Sequence, residues 1–136
     1  MHLSFDVPTF IDENNKQWLD ANAVCDWLDI NNCSSAVGTL PAEEKHLGVV
    51  KTGNTLYKKL YVSPMGIIRY IAQCKKIDLA PLRERLLAFI CPKDPEILER
   101  IYAYITEASE GRPLTLDVFF HLYLEALDKA VDFGRL

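Results

Sequence analysis

The stretch HLGVVKTGNTLYKKLYVSPMGII, residues 46–68, constrains the fold of this chain more than any other. Two runs of β-forming residues flank the turn-rich tetrad Thr52-Gly53-Asn54-Thr55, the pattern of a β-hairpin. Side chains alternate across a strand, so Lys58 and Lys59 cannot share a face. Helical spacing then takes over at once. Ser63 can accept a hydrogen bond from a free N–H of a first helical turn, and Pro64 sits at the first position, where its missing donor does no harm. Ile67, Ile68, Tyr70 and Ile71 form the expected buried stripe, with Arg69, Gln73 and Lys76 projecting. A hairpin that feeds directly into a helix points to an α+β chain.

The flanking segments fit that frame. LSFDV and PTFI, on either side of Pro8, are expected to be two short strands, and DENNK at 12–16 a polar turn before QWLD. Asp20 can cap a helix through ANAVCDWLDI, with Ala23, Val24, Trp27 and Leu28 on one face. Asn31 and Asn32 tolerate the left-handed conformation that ends helices. A second short helix, SSAVGTL, starts near Ser34. The two invite comparison with a helix-turn-helix, but the exposed charges Asp20, Asp26 and Asp29 are wrong for a DNA-reading helix. Asp78 is expected to cap a helix LAPLRERLLAFI, and Asp94-Pro95 to open another through ILERIYAYITEA. The last helix, TLDVFFHLYLEALDKAVDF, is apolar over more than half its circumference. It is either sandwiched within the monomer or also meets a second subunit, with Phe119, Phe120, Tyr123 and Leu127 as the contact residues for self-association. The expected fold is therefore a small antiparallel sheet of hairpins packed with several helices, followed by a C-terminal helical hairpin.

With 136 residues, 49% of them hydrophobic and 25% charged, the chain is long enough to bury a core and has no composition typical of disorder. No apolar run approaches the roughly 18–20 residues needed to cross a bilayer, and MHLSFDVPTF lacks the features of a secretory signal. A cytoplasmic protein is expected. Cys25, Cys33, Cys74 and Cys91 lie far apart, with no paired ligand spacing, and read as four small apolar side chains kept reduced; no metal or cofactor is expected. The net charge of −4 conceals strong polarity. Residues 1–44 carry one base and eight acids, residues 45–93 ten bases and two acids, and residues 94–136 four bases and nine acids. Such a distribution bears on the choice of partner.

The order of these elements, and the segments QWLDANAVCDWLDINNCSSAV (17–37), PAEEK (41–45), LYKKLYVSPMGIIRYIAQCKK (56–76) and LAPLRERLLAF (79–89), resemble the Bro-N domain of phage antirepressors and viral BRO proteins. The resemblance covers residues 1–92 and leaves 93–136 as a helical cap or dimerisation element. Cys74-Lys75-Lys76-Ile77 departs from the Ser-Arg-Lys-Pro often found in that family. The resemblance implies a non-catalytic regulator of phage or prophage type, working in the cytoplasm of a bacterial host.

Two mechanisms follow. In the first and leading one, the central basic segment contacts DNA through Lys58, Lys59, Arg69, Lys75, Lys76, Arg83 and Arg85. In the second, the chain sequesters a repressor or another regulatory protein without binding DNA, a reading that the acidic flanks favour. An enzyme is not expected: Cys33 or Cys74 could be paired with His46 or His121 on paper, but no nucleophile, phosphate-loop or metalloprotease motif is present.

Overall fold

The computed structural model describes residues 2–73, 94–110 and 112–132, and it shows a mixed α+β fold. The described chain forms two compact units, Val7–Ile67 and a second made of Met1–Asp6 with Ile68–Leu136. The expected boundary at 92/93 lies outside the described residues.

The first unit is built on a four-stranded antiparallel sheet: β2 (Thr9–Ile11), β3 (Gln17–Asp20), β4 (Lys45–Thr52) and β5 (Thr55–Val62), in the order β2-β3-β5-β4. QWLD, expected only as the run-up to a helix, is β3. All four of its residues are buried, so it lacks the alternation that would have marked it as a strand. The DENNK turn joins β2 to β3 as expected, with Asn15 in the left-handed region at φ 64°. Asp12 organises this turn. Its Oδ1 accepts the N–H groups of Asn14 and Lys16, and its Oδ2 accepts the indole N–H of Trp18, each at 2.9 Å. These three donors, the Trp18 bond foremost, hold the Asp12 carboxyl below the usual aspartate range.

Asp20 ends β3 and caps α1 (Ala21–Trp27) by accepting Asn22 N–H at 2.9 Å. The buried face of this segment is Ala21, Val24, Cys25 and Leu28. Ala23 and Trp27, expected there, are only half-buried, and Ala21 and Cys25 take their place on the buried face. The left-handed residue after the helix is Asp29, at φ 58°, rather than Asn31 or Asn32. Asn32 instead caps α2 (Cys33–Gly38) through Ser35 N–H. A 3₁₀ turn, Ala42–Glu44, then leads into β4.

The β4–β5 hairpin forms as its sequence dictates, in continuous register from Lys45↔Val62 to Thr52↔Thr55. Gly53 takes a positive φ of 62° at the first position of the two-residue loop, where an L side chain would be strained. β5 leads through Ser63 into α3 (Pro64–Gln73), and the Ser63 hydroxyl accepts Gly66 N–H at 2.9 Å, the predicted cap. Ile67, Ile68 and Ile71 are buried as expected, joined by Met65 and Ala72, whereas Tyr70 is half-buried.

In the second unit, α4 (Pro95–Ala108), capped by Asp94, packs on α5 (Leu116–Asp132), which Thr115 caps through Val118 N–H at 3.1 Å. Two residues of β6 (Pro113–Leu114) pair in parallel with β1 (Ser4–Phe5), and Phe5 meets Phe119 with ring centroids 5.4 Å apart. LSFDV therefore contributes to a separate two-stranded sheet and not to the hairpin sheet. The expected contact residues on α5 need correction. Phe119, Tyr123 and Leu127 are buried within the chain, at 0%, 1% and 3% exposure, and Phe120 is half-buried. Three of the four side chains are therefore spent on the chain's own core, while Val118 on the same helix stays 44% exposed.

Candidate interaction surface

Strand alternation gives the sheet two different faces. The registers Phe10↔Trp18, Asp20↔Tyr61 and His46↔Tyr61 place Phe10, Trp18, Asp20, His46, Lys59 and Tyr61 together on one of them. The rings pack closely here. Phe10 meets Tyr61 edge-on at 4.7 Å, and His46 lies 5.3 Å from Trp18 and 5.8 Å from Phe10. Gly48 leaves room for this, since a Cβ there would come within 3.2 Å of the Tyr61 ring. Lys59 runs along the same face and ends 3.0 Å from Asp20 Oδ2. That hydrogen-bonded ion pair raises the Lys59 ammonium above the ordinary lysine range. Asp20 thus uses one oxygen on the α1 cap and the other on Lys59.

Beside this face lies a buried polar junction. Glu44, 4% exposed, accepts the Ser63 hydroxyl at 3.1 Å and pairs with Lys16 at 3.2 Å, while its backbone carbonyl accepts Ser63 N–H. The Lys16 ammonium also donates to the Glu43 carbonyl and sits 5.0 Å from the centroid of Trp18. One carboxylate therefore ties the β2–β3 turn to the start of α3. The junction is architecture: each polar group satisfies another.

The opposite face of the hairpin is different. Leu47, Val49 and Leu56 are 57%, 68% and 66% exposed. The register sets Val49 opposite Lys58 and Lys51 opposite Leu56, so aliphatic and ammonium groups alternate in a checkerboard near the tip. Lys51 and Lys58 are both exposed. A large aliphatic side chain alone on a surface is ordinary; three on one face of a projecting two-stranded ribbon form a patch.

The seven cations expected to bind nucleic acid are not gathered by the described residues into one group. Lys58 lies on the aliphatic face, and Lys59 lies on the aromatic face, paired with Asp20. Arg69, on α3, is half-buried. Lys75, Lys76, Arg83 and Arg85, together with Cys74, Cys91 and the expected helix at 79–89, lie outside the described residues. Sequence reasoning missed Lys51, and alternation along the strand groups Leu56 with Leu60 and Val62. Leu56 does share their face, but it stands beyond the end of the covered part of the sheet, and alternation carries no information about where cover stops. Among the described residues there is no group of three or more His, Cys, Asp or Glu side chains that could hold a metal ion, and no helix is long and apolar enough to cross a membrane. The Cys33 thiol has Cys25 and the Ala21 carbonyl as its hydrogen-bond partners.

No protein-family model matches this chain, and no curated protein and no solved structure matches it.

Proposed function

We propose that this chain is a protein-binding regulator that docks an acidic, apolar-centred partner on the aliphatic face of its β4–β5 hairpin. The observation that carries the reading is the exposure of Leu47, Val49 and Leu56 beside Lys51 and Lys58. Covering the exposed part of the three aliphatic chains would contribute about 3–5 kcal/mol. Lysines alternating with them favour carboxylates at the rim of the partner and disfavour basic surfaces. The resemblance to Bro-N domains supplies the biological setting of the proposal, an antirepressor-like regulator of phage or prophage type.

DNA contact is the second reading, favoured by one observation: a two-stranded ribbon carrying Lys51 and Lys58 on one face has the dimensions to enter a major groove. The pairing of Lys59 with Asp20 counts against it.

A photo-reactive side chain installed at Val49 in cells separates the two. The expected product is a protein adduct that survives nuclease and disappears in a Lys51→Glu/Lys58→Glu background. An adduct destroyed by nuclease, or a yield no higher than from the same probe at exposed Asn14, would overturn the proposal.

A further inference from the structure

Two of the four cysteines, eight positions apart in sequence, are brought together by the α1–α2 corner. Cys25 is the fifth residue of α1 and Cys33 the first of α2, and their Sγ atoms lie 2.7 Å apart. A disulfide bond measures about 2.05 Å, so less than an ångström separates this pair from bonding distance. Both are free thiols, Cys25 being 3% exposed and Cys33 half-buried. The corner is held from both sides. Asp20 caps α1, Asn32 caps α2, and the Ile30 N–H bonds back to the Cys25 carbonyl at 2.8 Å. The fold therefore presents the two sulfurs to each other before any oxidant arrives.

We infer that Cys25 and Cys33 form an oxidisable dithiol, a modification site at which a small organic disulfide closes a Cys25–Cys33 bond. The step is a double thiol–disulfide exchange. Cys33 Sγ, the more accessible sulfur, gives up its proton and attacks one sulfur of the small disulfide. That S–S bond breaks, and one thiolate leaves and takes a proton. Cys25 then gives up its proton and attacks Cys33 Sγ, expelling the second thiolate, which is protonated in turn. Two protein S–H bonds are exchanged for one S–S bond, and the small disulfide is reduced to two thiols. Burial raises both thiols, Cys25 to about 12 with the hydrogen bond to Cys33 adding to it, so the order of attack follows from access: Cys33 is half-buried and Cys25 only 3% exposed. The product fastens α1 to α2 beside Asp20, whose second oxygen holds Lys59.

Tryptic cleavage makes the test direct, because residues 17–45 contain no internal Lys or Arg and hold both cysteines, while Cys74 and Cys91 fall on other peptides. The full-length chain is equilibrated with mixtures of oxidised and reduced glutathione, quenched with an alkylating agent and digested. The expected result is a 17–45 peptide lighter by two hydrogens and carrying no alkyl group. Its bond should resist reduction roughly tenfold or more better in the native chain than in the same chain in denaturant. Two alkyl groups on that peptide under oxidising conditions, two glutathione adducts without an internal bond, or equal stability of the bond in native and denatured chains would each overturn the inference.

Discussion

Gly66→Ala and Gly38→Ala make the same chemical change in two helices and should have opposite signs. Adding a methyl group to a helical glycine ordinarily stabilises by up to about 1 kcal/mol, through the lower entropy of the unfolded chain. At Gly38, in the last turn of α2, nothing lies within 4 Å of where the Cβ would stand. A gain of about 0.5–1 kcal/mol is expected there. At Gly66 the new Cβ would come 2.9 Å from Val62 Cγ2, 3.0 Å from the Glu44 carbonyl oxygen and 3.1 Å from Glu44 Cβ. Val62 can turn only within a packed core, and the Glu44 carbonyl is backbone, tied to Ser63 N–H at 3.1 Å. Overpacking of this kind costs about 1–3 kcal/mol. Set against the helical gain, the net loss is about 1–2 kcal/mol, or a fall in Tm of roughly 3–8 °C. Urea titrations of the wild type and both variants, followed by Trp fluorescence and circular dichroism, provide the comparison. If Gly66→Ala equals or exceeds Gly38→Ala in stability, the close packing of the α3 start against the Glu44 backbone is refuted.

The other predictions concern the acid limb and the α5 core. Asp12 titrates below its ordinary range in the folded chain, so its contribution is complete above the unfolded-state value and is lost as pH falls through the lowered one. Asp12→Asn should therefore flatten the acid side of the stability–pH profile, and an unchanged profile would show that the Trp18 and backbone donors do not favour the charged form. Phe119→Ala should cost about 3–5 kcal/mol in thermal or chemical unfolding, whereas Val118→Ser, at a 44% exposed position, should stay within about 0.5 kcal/mol. Similar small effects from both would return Phe119 to the surface and reopen α5 as an interface.

What the sequence disclosed was mostly local. Ser63, Asp20 and Asp94 cap the helices they were expected to cap, because capping depends on a side chain reaching two or three residues along its own backbone. The hairpin around Gly53 was legible for the same reason. β3 was not, since burial on both sides erased its alternation, nor was the β1–β6 pairing, which joins residues 4–5 to 113–114 with no shared pattern. The candidate surface was half legible. Alternation separated Lys58 from Lys59, but no local signal could announce that Asp20 would claim Lys59, or that Cys25 and Cys33 would meet across a helical corner. Counting cations along the chain gave a basic segment; folding assigned them to different faces.

The pairing of β1 with β6 has a consequence for synthesis. Residues 7–67 are contiguous, so that unit can assemble as soon as its own length has left the ribosome. Ser4 and Phe5 are made before that unit yet wait for their strand partner until position 114 has been made. A nascent chain released before that point would carry the four-stranded sheet with β1 still unpaired.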